Sequence, residues 1–302
     1  MGIPAYFSFI IKHYNSIFKE LHHNYDHFLL DSNSIIYDSI NESTNDNEIS
    51  DKVNKKLEYL IHLIKPKKTT IITFDGVAPM AKIKQQRERR YKSYFEKTLL
   101  NKSDKWNRAK ITPGTDFMEK LTKKVTLHFK KKEFSCNVII SGSNIQGEGE
   151  HKLCEEIRKK QWLKDTVVIY GLDADLIMLG LIHCRWCQQL FLFRENPDFL
   201  EQLNYKLSKD KIYVLDINLF RMIILKKLSI NNKINKFRLY DYILLCFMLG
   251  NDFLPHFPAI NLRKDGMDML INAYKEVIVP LNKTIIYKHK IQWDLFKLLI
   301  NY

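Results

Sequence analysis

Three features of this 302-residue sequence predict an α/β fold with a mostly parallel central sheet flanked by helices and a helical C-terminal extension. Short apolar runs, His27–Asp31, Thr69–Phe74, Val138–Ile140 and Val167–Ile169, alternate with segments of helical periodicity, the pattern of right-handed βαβ crossovers. Each run leads into an acidic residue or a close acidic pair, and loops beyond the carboxyl ends of parallel strands are where such sheets bind ligands. From Asp216 onward the pattern is mainly helical. Residues 1–263 therefore read as one α/β domain and 264–302 as a helical extension without a chemical signature.

Lys+Arg 48 exceed Asp+Glu 34, and the net charge of +14 favours a polyanionic partner such as nucleic acid. The acids at the strand ends are thus a negative pocket in a positive protein, an arrangement suited to an enzyme acting on phosphodiesters. Five cysteines, an odd number without framework spacing, point to reduced thiols and an intracellular, cytoplasmic location. Cys184 and Cys187 beside His183 make half a zinc site, and no second pair completes the ligand set, so a structural role is expected. No run reaches the roughly 18 apolar residues of a membrane span. Met1-Gly2 is followed by Tyr6 where a myristoylation signal wants Ser or Thr.

Taken in order, residues 5–21 read as an amphipathic helix after Pro4, and HFLLD as a short buried strand ending in Asp31. The polar stretch Asn41–Asp51 reads as a loop capping a helix over Val53–Ile64. TTIITF is a strand that leads to Asp75 and Gly76. A basic helical segment, AKIKQQRERRYKSYFEK, lies between Pro79 and Leu100, and Lys82, Gln86, Arg89, Arg90 and Ser93 share one of its faces. Because it starts just after the Asp75 strand end, its first turns are placed beside the acidic crevice, where paired guanidinium groups can hold a terminal phosphate. A solvated charged helix with Glu88 and Glu96 as partners is the plain alternative. Helices follow over 115–128 and 149–162, strands over 189–193 and 211–215, and a buried helix over Tyr240–Leu249 that stops at Gly250 in LGNDFLPH.

The chemistry concentrates in GEGEH and GLDAD, which supply Glu148, Glu150, Asp173 and Asp175 after two of the strands, with Asp31, Asp75 and Asp252 as further acids. Any one alone is a common helix N-cap. Four strand ends behaving alike argue for ligands, and carboxylates set close together repel until protonated or bridged by a divalent cation.

In chain order MGIPAYF, FLLDSNSIIY, TFDGVAPMAKIKQQRERRYKS, ITPGTDFMEKL, SGSNIQGEGEHK, YGLDADLIMLGL and LGNDFLPHFP resemble the Xrn family of 5′-to-3′ exoribonucleases, whose catalytic region belongs to the PIN-like and flap-endonuclease superfamily. The resemblance runs from Met1 to about Gly266. It implies a PIN-like nuclease fold with an acidic site of Asp31, Asp75, Glu148, Glu150, Asp173, Asp175 and Asp252 holding two Mg²⁺, for which Mn²⁺ can substitute. It also implies that Lys82, Gln86, Arg89 and Arg90 bind a 5′-monophosphate, and that the turn Asp75–Pro79 lines an entrance for single strands. Tyr37 stands where the family has a base-stacking His and keeps a π-face for that role. Nothing in residues 270–302 resembles the family's second conserved region.

The expected function is metal-dependent 5′-to-3′ hydrolysis of single-stranded RNA from a 5′-monophosphate end, by two-metal-ion chemistry that releases mononucleotides. No Ser, Cys or His nucleophile is required. His151 is expected to be structural and Lys152 to assist charge neutralisation. The chain is expected to act as a monomer on single-stranded RNA, away from membranes. One rival is a flap-type or 5′ exonuclease acting on DNA, disfavoured by TPGT, GEGEHK and LGNDFLPH and by the lack of a helix-hairpin-helix clamp after Asp252. The other is a catalytically weak RNA-binding remnant, disfavoured by the presence of all seven acids.

Overall fold

The computed structural model describes residues 3, 5–40, 45–100, 106–195, 206–208, 210–229, 233–262 and 265–302. Two compact units are formed: Glu20–Leu172 with His183–Glu195, and Met1–Lys19 with Asp173–Ile182 and Asn196–Tyr302. The boundary expected between residues 263 and 264, and Met1, Gly2 and Pro4 of the opening motif, lie outside the described residues.

The chain opens with a short helix α1 (Tyr6–His13), a 3₁₀ turn at Asn15–Ile17 and a strand β1 (Phe18–Glu20). The helix expected over 5–21 is thus corrected to its first half. Tyr14 leaves helical dihedrals at φ −132°, and Asn15 and Ser16 are residues whose side chains compete with a helical backbone.

In the first unit β2 (His27–Asp31), β3 (Thr69–Thr73), β4 (Asn137–Ser141), β5 (Thr166–Tyr170) and β6 (Gln189–Phe193) pair in parallel in the order β4–β3–β2–β5–β6. Leu29 lies opposite Ile71 on one side and Ile169 on the other, so the central strands run in even register. Phe28, Leu29, Leu30, Ile72, Val167 and Val168 are fully buried, as expected of strands covered on both faces. From β2 the chain steps outward through β3 to β4 and then returns to the far side of β2 as β5. That reversal makes the carboxyl ends of β2 and β5 a topological switch point, the place where open α/β sheets bind ligands.

The connecting helices are α2 (Asn33–Ile40), α3 (Asp46–Ile64), α4 (Met80–Leu99), α5 (Asp116–Lys131) and α6 (Gly149–Lys160). α2 was not anticipated. α3 begins at Asp46 rather than Val53, because Asn45 caps it by accepting the Asn47 N–H at 2.9 Å while Asp46 and Glu48 occupy the first turn. The expected loop to Asp51 is corrected accordingly. Ile49, Val53, Leu57, Leu60, Ile61 and Ile64 form the buried stripe of α3, and Lys65 ends it in the left-handed region at φ 53°.

The second unit holds α7 (Asp175–His183) up to Ile182, β7 (Tyr213–Asp216), α8 (Ile217–Lys227), α9 (Arg238–Met248), α10 (Gly266–Val277), the two-stranded β8 (Ile286–Tyr287) and β9 (Lys290–Ile291), and α11 (Trp293–Ile300). α9 buries two charged groups as well as its apolar residues. Asp241 accepts from Tyr274 Oη at 2.5 Å and from the N–H groups of Ile285 and Ile286 at 2.9 and 2.7 Å, while Arg238 donates to the Leu228 and Val279 carbonyls at 2.5 and 3.3 Å. The hairpin was missed in a region expected to be helical. Its turn residues, Lys288 and His289, take φ of 46° and 62°, a conformation usually signalled by Asn or Gly.

Candidate metal and nucleic-acid site

Within the first unit four of the expected acids meet at the carboxyl edge of the sheet. Asp31 ends β2, opposite Thr73 at the end of β3, and Asp75 lies two residues beyond Thr73. Glu148 occupies the N-cap position of α6 without a side-chain capping bond and Glu150 sits in the first turn, both buried. Gly149 between them packs so closely that a methyl group there would lie 2.5 Å from Asp31 Oδ1 and 2.9 Å from Thr73 Oγ1. Its N–H donates to Asp75 Oδ1 at 2.7 Å, and Asn33 holds the other Asp75 oxygen at 2.5 Å while accepting the Asp75 N–H at 3.0 Å. Asn33, Thr73 and Gly149 are thus positioning residues that sequence reasoning missed. Their only signal was proximity to the acidic strings, because their roles depend on contacts across the sheet.

Two glycines lace the acidic loops together. Gly76 donates to the Gly147 carbonyl and Gly147 to the Val77 carbonyl, each at 2.9 Å. A Cβ on Gly76 would lie 1.7 Å from the Ile145 carbonyl oxygen, and Gly147 has φ 96°. Both positions therefore require the missing side chain.

Lys152 reaches under this cluster from α6. It is buried, and Nζ donates to the Phe74 carbonyl at 2.8 Å and the Gly142 carbonyl at 2.9 Å, joining the ends of β3 and β4. Burial pulls its pKa down to about 8, against the charges of Asp75 and Asp31. Burial likewise pushes the Asp75 carboxyl up. The Gly149 N–H opposes that shift, Glu148 adds to it, and Lys152 and Lys82 offset it in part. Asp75 is therefore under-compensated by this chain's own cations.

Ligand atoms of Glu148, Glu150 and His151 lie within 4.8 Å of one another, the one such group of metal-type ligands among the described residues. Oxygen donors in this density suit a hard divalent cation such as Mg²⁺ or Mn²⁺, and such an ion would relieve the raised Asp75. The residues present therefore fit a metal. His151 is exposed, with Nδ1 3.8 Å from Glu148 Oε2. Cys184, Cys187 and His183 form no such group among the described residues, and His183 Nε2 meets Arg158 Nη1 at 2.7 Å.

The basic helix lies against this cluster. Lys82, in the first turn of α4, places Nζ 3.4 Å from Glu148 Oε1, and both side chains are largely buried. Gln86 is half-buried, and Arg89 and Arg90 are exposed further along the helix. Tyr37, on α2, is 37% exposed, open enough to offer a ring face.

Asp173, Asp175 and Asp252 belong to the second unit. Asp173 is exposed in the turn before α7, and Asp175 is the first residue of that helix. Asp252 is half-buried in the turn after α9, where Asn251 Oδ1 accepts the N–H groups of Phe253 and Leu254 at 2.8 Å.

Residues 1–196 match the family described as the XRN 5′-3′ exonuclease N-terminus, and residues 234–302 match one described as the Xrn1 helical domain, which corrects the expectation that the likeness to the family ends near Gly266. Across its whole length the chain is 32% identical to the 5′-3′ exoribonuclease 1 of Saccharomyces cerevisiae, and over 93% of its length it is 30% identical to the Homo sapiens 5′-3′ exoribonuclease 1. It spans 22% of the former protein and 19% of the latter. The catalytic core of Rad2 in complex with a DNA substrate superposes with a TM-score of 0.51 over 91% of this chain and 69% of that one at 13% identity, a likeness of fold alone. The fold is accordingly PIN-like, as expected.

Proposed function

Because the chain belongs to the XRN 5′-3′ exonuclease family, we propose that it is a 5′-to-3′ exoribonuclease that removes mononucleotides from single-stranded RNA bearing a 5′-monophosphate. One observation carries this reading. The buried Glu148 carboxylate, clustered with that of Glu150, stands beside Lys82 at the start of a cationic helix, so a metal-holding cluster and an anion-holding face adjoin.

Asp31, Asp75, Glu148 and Glu150 are proposed to hold two Mg²⁺, and Asp173, Asp175 and Asp252 are proposed as further ligands. Such ions, when bound, supply an activated water and stabilise the leaving 3′ oxygen. The chain's own residues do the rest. Asn33 and the Gly149 N–H fix the Asp75 carboxylate, Lys152 fastens the β3 and β4 ends under it, and Lys82, Gln86, Arg89 and Arg90 grip the terminal phosphate. That grip selects a monophosphate and disfavours a capped, triphosphate or hydroxyl end. Tyr37 stacks on a base near the 5′ end. The chain is proposed to act as an intracellular, cytoplasmic monomer.

The test uses matched RNA and DNA oligonucleotides with 5′-monophosphate, 5′-hydroxyl or 5′-triphosphate ends in Mg²⁺, with Asp75→Ala and EDTA as controls. Mononucleotide release from 5′-monophosphate RNA, abolished in both controls, is expected. Equal cleavage of all ends, or internal cuts in duplex DNA, would replace this reading with that of a flap-type DNA nuclease.

A further inference from the structure

α4 has a face that the phosphate grip leaves unused. At about 100° per residue, Lys82, Gln86, Arg89 and Ser93 lie on one side of the helix, while Lys84, Arg87, Tyr91, Tyr94 and Phe95 lie on the other. The three rings are 80%, 72% and 62% exposed. Nothing about making a helix asks for them, since Tyr and Phe are middling helix formers. Three adjacent aromatic rings on one exposed face form a patch of the kind that marks a binding surface.

We infer that this face binds single-stranded nucleic acid, with bases stacked on Tyr91, Tyr94 and Phe95 and backbone phosphates held by Lys84 and Arg87. Charge decides between occupants. Cations interleave the rings, and only Glu88 and Glu96 oppose them along α4. A polyanion with π-faces complements both features, whereas an acidic peptide matches the charge without the rings. A second copy of this chain would bring an equally cationic helix against the first. The choice of occupant rests on the proposed nuclease function, but the surface is independent of the pocket for the 5′ end.

The experiment compares the full chain with a Tyr91→Ser, Tyr94→Ser, Phe95→Ser variant and with Tyr91→Phe, Tyr94→Phe, all in EDTA. Binding is measured to RNA of about 20 nucleotides with a 5′-monophosphate or 5′-hydroxyl end, and to an abasic strand of equal length. The triple serine variant is expected to bind both RNAs at least about tenfold more weakly, the phenylalanine variant to bind like the parent, and the abasic strand to be indifferent to either. Equal thermal unfolding midpoints are the folding control, since all three rings are on the surface. Loss of affinity for 5′-hydroxyl RNA sustains the inference even where the parent fails to discriminate 5′ ends, a failure that counts against the phosphate pocket alone. Unchanged RNA affinity, an equal loss for the abasic strand, or a change only in self-association by sedimentation overturns it.

Discussion

Gly149→Ala isolates the close packing of the acidic cluster. The added methyl would lie 2.5 Å from Asp31 Oδ1 and 2.9 Å from Thr73 Oγ1, short of ordinary contact by about 1 Å at the first. Neither neighbour is free to retreat. Thr73 Oγ1 donates to the Leu30 carbonyl at 2.8 Å, the Thr73 carbonyl accepts the Ser32 N–H at 3.0 Å, and Asp31 is paired with Thr73 across the strands. Withdrawing the start of α6 instead would stretch the 2.7 Å bond from Gly149 to Asp75. Overpacking of this kind costs about 1–3 kcal/mol, and shifting a reacting group by about 1 Å lowers rates on the order of 10²-fold. With no clash, the same change would stabilise the helix by up to about 1 kcal/mol, so the sign alone is informative. Gly180→Ala in α7 is the control, because its added carbon would meet Ile217 at an ordinary 3.5 Å. Mononucleotide release and thermal unfolding are measured for both. A Gly149→Ala protein that is fully active and more stable than the parent would refute the geometry.

Arg89→Ala with Arg90→Ala should lower the preference for a 5′-phosphate over a 5′-hydroxyl by about tenfold or more, since each charge-assisted bond contributes about 1.5–3 kcal/mol. Competition binding in EDTA measures it, and an unchanged preference counts against the phosphate face. Mn²⁺ or Mg²⁺ at a hundred times its dissociation constant should stabilise the parent by about 2.7 kcal/mol, and Glu148→Gln with Glu150→Gln should abolish most of that shift. Differential calorimetry checks this without reference to catalysis. Asp165 gives a pH prediction. Its carboxyl is held below the usual range, first by Lys68, 2.5 Å away, then by His27 at 2.9 Å. The folded protein keeps it charged where the unfolded chain takes up a proton, so this contribution is present above about pH 4 and is lost as pH falls further. Asp165→Asn should therefore flatten the acid limb of stability in unfolding titrations.

Strands β2, β3, β5 and β6 were legible because burial on both faces leaves continuous apolar runs, the edge strand β4 because Val138, Ile139 and Ile140 are β-branched, and α4 because Pro79 and a long period mark it. The start of α3 was not, since the Asn45 cap is hidden inside a polar stretch that reads as loop. α2 was missed because NSIIYDSI carries β-branched residues that suit a strand equally well. Lys288 and His289 hid a hairpin by taking left-handed dihedrals without the usual Asn or Gly.

Residue types and their local spacing determined the acids Asp31, Asp75, Glu148 and Glu150, the Lys82 face and the family resemblance, because strand ends, caps and helical faces are set by neighbours a few positions apart. Only the tertiary structure decided that β5 returns beside β2, that Asn33 grips Asp75, that Gly149 abuts Asp31, and that Lys152 ties Phe74 to Gly142. Those contacts join positions far apart in the chain, and strand order, which no local period encodes, brings them together.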